Sequence, residues 1–120
     1  MSLKSVSTSI KQAGLHHWPD APDFVEFLKY PHRHMFGFAV DIEVEDSNRE
    51  VEFFTLQDHM QSHLKATYPG WRGHTSLLQF GPNSCEMLAE AMCGYLQGLG
   101  FKVVGVTVDE DEESSGCYIP

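Results

Sequence analysis

At 120 residues the chain has room for one core, and a single domain over residues 1–120 is predicted. Its 17 acidic against 8 basic side chains, a formal charge of −9, argue against nucleic acid or an anionic membrane as partner, because phosphate neutralisation needs clustered Lys and Arg. No apolar run approaches a membrane span, Met1 to Lys11 is too polar for a secretory signal, and three cysteines without a CxxC pair fit reduced thiols, so a cytoplasmic location is expected.

Val6 to Ala13 reads as a strand, with β-branched residues at alternate positions. His17 to Pro31, with three prolines, reads as a structured loop containing a helical turn over Asp23–Leu28. Phe36, Phe38, Val40, Ile42 and Val44 then alternate with Asp41, Glu43 and Glu45, the pattern of a half-buried strand. After the turn Asp46-Ser47-Asn48, Val51 to Phe54 is expected to be extended. Thr55-x-x-Asp58 resembles a helix start, and Leu56, Met60, His63 and Leu64 mark the apolar stripe that follows. His59 and His63 are placed on that helix's surface or edge. Thr67 to Pro82, with two prolines and three glycines, reads as a loop. A second helix begins at Asn83 or Ser84, carries Cys85, Leu88, Ala89, Met92, Tyr95, Leu96 and Leu99 at helical spacing, and ends at Gly98 and Gly100. Phe101 to Val108 is β-branched and reads as a strand; Gly116 to Ile119 is a final short one. The order ββααββ predicts an α+β fold, an antiparallel sheet with two helices on one face. Cys85 and Cys93 are expected to be buried, and Cys117 to lie nearer the chemistry.

His32-Arg33-His34 carries the clearest chemical signal. Side chains two apart on a strand share a face, so both imidazoles project together, a platform suited to zinc. The third donor is His16 or His17. Parity favours His16, which shares a face with Val6, Thr8 and Ile10 if that strand continues unbroken; His17 stays open.

The order of elements, the HxH at the second strand, Val51-Glu52-Phe53, Ser84-Cys85-Glu86-Met87-Leu88-Ala89 and Val106-Thr107-Val108-Asp109-Glu110 together resemble the pyruvoyltetrahydropterin/carboxytetrahydropterin synthase family, which has the tunnelling fold, or T-fold. The resemblance runs from about Val6 to Tyr118 and implies Zn2+ held by His16, His32 and His34. It implies Glu110 as the anchor of a pterin ring, a carboxylate able to accept two hydrogen bonds from a pterin- or guanine-like edge. It further implies a lyase-type synthase acting on a pterin- or purine-derived small molecule, with a triphosphate as the family's substrate form, in a homo-oligomer with sites at subunit interfaces. The other reading is a noncatalytic zinc-containing protein that binds a pterin or nucleotide in the same pocket. The family's cysteine stands four residues before the HxH, where this chain has Leu28. The family's Asp-His pair has no close match: Asp58-His59 comes too early, and His74 lies nearer the expected place without the aspartate. His74 is the residue this resemblance nominates for proton transfer.

Overall fold

Two 13-residue strands dominate the fold, β1 (Lys4–His16) and β2 (His32–Val44). They pair antiparallel without a break from Lys4 opposite Val44 to His16 opposite His32. The structure is a computed structural model that describes residues 3–120. A short 3-10 segment, Asp23–Lys29, lies in the connection between them. There follow α1 (Phe53–Thr67), β3 (Gly70–Trp71), β4 (His74–Gly81), α2 (Cys85–Gly98), β5 (Lys102–Glu110) and β6 (Ser114–Tyr118). The sheet order is β3-β4-β1-β2-β5-β6.

The α+β class and the two predicted helices stand, but the sheet is larger than the sequence suggested and not wholly antiparallel. Residues read as a loop, 67–82, contribute β3 and β4, and β4 runs parallel to β1, with Gly14 opposite Leu78 and Leu15 opposite Gln79. The first helix begins two residues earlier than its apparent signal. Glu52 is the N-cap, its carboxylate accepting the N–H groups of Phe54 at 2.6 Å and Thr55 at 3.0 Å. Those bonds, Phe54 N–H foremost, hold the Glu52 carboxyl below its ordinary value. Phe53 and Phe54 are therefore helical rather than extended.

One face of the sheet carries the core. Ile10, Phe36, Phe38, Val40, Ile42, Val106 and Val108 are buried there against Leu56, Met60 and Leu64 of α1 and Leu88, Ala89, Met92 and Leu96 of α2. Gly14 belongs to the same layer because a Cβ at that position would lie 2.2 Å from the Phe80 ring. The β2–β5 register slips between Asp41 and Ile42, so Val103 opposes Ile42 and Gly105 opposes Asp41. Val104 is the extra residue and is 49% exposed. It does not share the face of Val106, Val108 and Glu110, where unbroken alternation would put it.

His63 is the other correction on the core side. It is buried rather than on a helix surface, with its ring 4.7 Å from Tyr95 and its Nδ1 3.2 Å from Thr67 Oγ1. Its Nε2 is buried without a hydrogen-bond partner among the described residues. Burial pushes this imidazole below its ordinary value of 6.5, so the folded state prefers the neutral form. The sign follows: stability is full above the unfolded value and is lost as pH falls from 6.5 through the lower folded one, because the unfolded chain then binds more protons. In metal-free protein, urea titrations of wild type and His63→Phe are expected to diverge over this window. Wild type should lose up to about 1.4 kcal/mol more per pH unit. Parallel curves would show that His63 does not titrate on unfolding.

Candidate metal centre

The cross-strand pair His16–His32 and the next same-face residue, His34, put three imidazoles at one end of the β1–β2 hairpin. Because the β1–β2 register is unbroken up to residue 16, its even positions keep to the core face, which settles which histidine joins the cluster. His17 instead donates its backbone N–H to Gly81 O at 3.0 Å. Ring centroids are 4.6 Å apart for His16–His32, 5.3 Å for His16–His34 and 5.1 Å for His32–His34. One ring nitrogen from each lies within 4.8 Å of those of the other two. The floor is Phe36, edge-on to His16 at 5.0 Å and to His34 at 5.7 Å.

Each Nδ1 is engaged by an oxygen. That of His16 meets Asn83 O at 2.9 Å, that of His32 meets Tyr30 O at 2.9 Å, and that of His34 meets Asp111 Oδ2 at 2.7 Å. A carbonyl can only accept, so His16 and His32 carry their protons on Nδ1, and a carboxylate imposes the same on His34. With Nδ1 so engaged, each ring in its neutral form presents a lone pair at Nε2. This is the outer-shell pattern that orients imidazoles for a metal, and the donor set suits zinc. Burial pushes His16 below its ordinary value, offset in part by the Asn83 bond and by Glu110, which favours the neutral ligand form.

Two elements outside the hairpin complete the surroundings. β5 ends with Glu110, whose Oε1 is 3.1 Å from His16 Nε2 and whose Oε2 is 3.6 Å from His34 Nε2. The first turn of α2 brings Cys85, whose thiol donates to Glu110 Oε1 at 3.7 Å. That thiol is buried, and burial followed by the charge of Glu110 pushes it up to about 12, so it is a protonated donor here. The cysteine that meets the site is thus Cys85. Cys117 pairs with Thr107 on the opposite face.

Asp111 opens an acidic turn at the end of β5, yet its carboxylate is engaged rather than simply solvated. It holds a left-handed φ of +54°, which aspartate tolerates, and exchanges bonds with Met35: its Oδ1 accepts Met35 N–H at 2.8 Å and its own N–H donates to Met35 O at 2.8 Å. These clips, with the His34 bond, hold its carboxyl below the ordinary value, the Met35 N–H contributing most. Asn83 also acts through its backbone; Ser84 is the N-cap of α2, and the Asn83 side chain donates to Phe80 O at 2.6 Å.

The structure does not bring His74 to this cluster. It begins β4 exposed, seven residues before Gly81, the partner of His16, or roughly 23 Å along the strand. Leu28 sits in the 3-10 segment, its carbonyl accepting Trp18 N–H at 2.7 Å.

No family sequence model and no curated protein sequence matches the chain. Solved structures do. An uncharacterized protein from Wolinella succinogenes superposes with a TM-score of 0.68 at 14% identity, covering 99% of both chains. The 6-pyruvoyl tetrahydropterin synthase of Caenorhabditis elegans superposes with a TM-score of 0.66 at 14% identity, over 100% of this chain and 97% of its own. The chain has the pyruvoyl tetrahydropterin synthase fold. Within this T-fold, β1 and β2 form the long hairpin whose end carries the three imidazoles, and α1 and α2 cover one face of the sheet.

Proposed function

We propose that the chain is a zinc-dependent enzyme of the pterin synthase type, a lyase acting on a pterin- or purine-derived small molecule that carries a phosphate leaving group. The observation that carries this reading is the convergence of three imidazoles, one ring nitrogen of each within 4.8 Å of the others, whose Nδ1 atoms all meet oxygens. The fold shared with the Caenorhabditis elegans synthase supports the substrate class. His16, His32 and His34 would hold the ion; bound there, it would polarise a substrate oxygen and acidify the adjoining C–H bond. Glu110 is the group that accepts hydrogen bonds from the heterocycle's amino and ring N–H edge. Phe36 and the first turn of α2 keep water from one side of the site.

On this reading the protein is a cytoplasmic homo-oligomer. β3 and β6 are the outer strands of the sheet, and sister copies that pair with them would close it into a barrel. A proton-transfer role for His74 then requires a second subunit, since its own chain holds it at the far end of β4. Leu28, in the place of the family's cysteine, favours the other reading, a zinc protein that binds the same ligand without turning it over.

Elemental analysis, with an assay for phosphate release from a pterin triphosphate, tests both. One zinc per chain with release supports the enzyme. Zinc with tight pterin binding and no product supports the binding protein. Absence of metal sinks both.

Asp111 offers a finer check. Its carboxylate meets His34 Nδ1 and fixes the ring, so Asp111→Ala is expected to weaken zinc binding about 10- to 100-fold, read by competition with a chelator. Asp111→Asn, which can still accept from Nδ1, should fall between the two.

A further inference from the structure

The two outer edges of the sheet carry opposite charge. From His59 to Cys85, a stretch that includes β3 and β4, the chain has no acidic residue and two basic ones, Lys65 and Arg72. From Val103 to Pro120, a stretch that includes β6, it has no basic residue and five consecutive acids, Asp109 to Glu113. Each edge also holds a charge that its own chain leaves unmatched. At the β3–β4 tip the Arg72 guanidinium lies over the Trp71 ring, 4.3 Å from its centroid, and meets no carboxylate among the described residues. At the other edge, Asp109 accepts Glu112 N–H, Asp111 holds Met35 and His34, Glu112 pairs with Lys11, and Glu110 faces the imidazoles. The exposed Glu113 carboxylate has no partner among the described residues.

The strand register sets these edges at one height. Gly70 of β3 is level with Leu78 and so with Gly14; Ser114 of β6 is level with Glu110, Phe36 and so with Gln12. Both outer strands run opposite to β1. A second copy turned about an axis along the strands, without being flipped, therefore brings its β3 beside β6 of the first. Contact between like edges is disfavoured, since β6 on β6 sets two acidic runs face to face and β3 on β3 two guanidinium groups. At a formal charge of −9, copies of the chain repel unless their few cations meet acids.

We propose that copies of this chain assemble head to tail, β3 of one against β6 of the next, with Arg72 paired to Glu113 of the neighbour. The inference rests on the homo-oligomer reading above and gives that assembly its direction. Such an interface is heterologous, and a ring results when its rotation closes. Closing a sheet also needs a stagger between strands, and the ion pair is the contact that selects it. His74 follows the tip directly, so the same contact carries it toward the turn that holds the neighbour's Asp111.

The test uses the full chain in sedimentation velocity over a range of concentrations. Arg72→Glu and Glu113→Arg are each expected to raise the concentration of half-assembly at least about tenfold, because each sets like charges face to face. Both changes in one chain restore opposite charges across the interface, so the double variant should return close to the wild-type midpoint. Both positions are exposed, and Glu112 at a φ of +62° shows that glutamate accepts the left-handed backbone that Arg72 holds at +50°. Circular dichroism checks the fold of each variant. Arg72→Glu that assembles like wild type, or a double variant no better than the single ones, overturns the proposal. A wild type that stays monomeric throughout overturns it together with the homo-oligomer reading. Failure of the metal reading looks different: zinc would be absent from wild type and variants alike, whatever their assembly.

Discussion

Replacing His32 and His34 together by Ala is expected to abolish stoichiometric zinc while leaving the fold in place. The double variant keeps His16 and Glu110 as the nearest donors, two where a structural or catalytic zinc needs at least three from protein. The fold should tolerate the change. Both histidines are only partly buried, and the backbone pairing of His32 with His16 and His34 with Gly14 does not depend on their side chains. Asp111 keeps both of its bonds to Met35 when His34 is gone. The cost to metal-free stability should stay within about 1 kcal/mol, the range of substitutions away from a packed core. Elemental analysis after dialysis gives the metal content, and circular dichroism with thermal melting of the metal-free proteins gives the fold. Zinc content unchanged from wild type would sink the metal reading. Zinc lost together with secondary structure would show instead that the imidazoles hold the hairpin end.

What the sequence revealed and what it hid follow from how far apart the interacting residues lie. The core face of β2 was legible because alternation from Phe36 to Val44 is local, and the stripe on α2 because its period is local too. Parity carried His16 onto the site for the same reason. β4 was hidden: only Leu78 and Phe80 of its eight residues are buried, glycines and prolines flank it, and its place beside β1 is fixed by parallel pairing across some 60 residues of chain. The start of α1 was misplaced because Thr55-x-x-Asp58 imitates a capping box while the actual cap is a glutamate. Val104 exchanged faces because a bulge in pairing leaves no mark in its own composition. At the site, the outer-shell acceptors were the illegible part. Two of the three are backbone carbonyls, of Tyr30 and Asn83, which any residue could supply. The third, Asp111, belongs to an acidic run in which only the left-handed turn selects the one carboxylate that faces His34.

The floor of the site and the core of the fold are one residue, and Phe36→Ala is expected to show it. Phe36 is fully buried, 4.9 Å from the Phe80 ring and edge-on to His16 and His34. Truncating a ring so placed leaves a cavity that its neighbours only partly fill, at a cost of about 3–5 kcal/mol. That is a large share of the roughly 5–15 kcal/mol that holds a domain of this kind together. Urea titration of metal-free protein measures it, and a loss under about 1 kcal/mol would mean that the ring is not part of a tightly packed core. Zinc affinity should fall as well, since two of the imidazoles lean on this ring, whereas Phe36→Leu fills more of the space and should retain most of both properties. The two effects are linked by mass action. An ion that binds only the folded chain stabilises it by RT ln(1 + [L]/Kd), about 2.7 kcal/mol at a free concentration one hundred times Kd. Added zinc should therefore recover part of the stability that Phe36→Ala loses, provided its own Kd is exceeded. It should recover none in a triple variant that also lacks His32 and His34, because the same unfolding transition then has no metal to draw on.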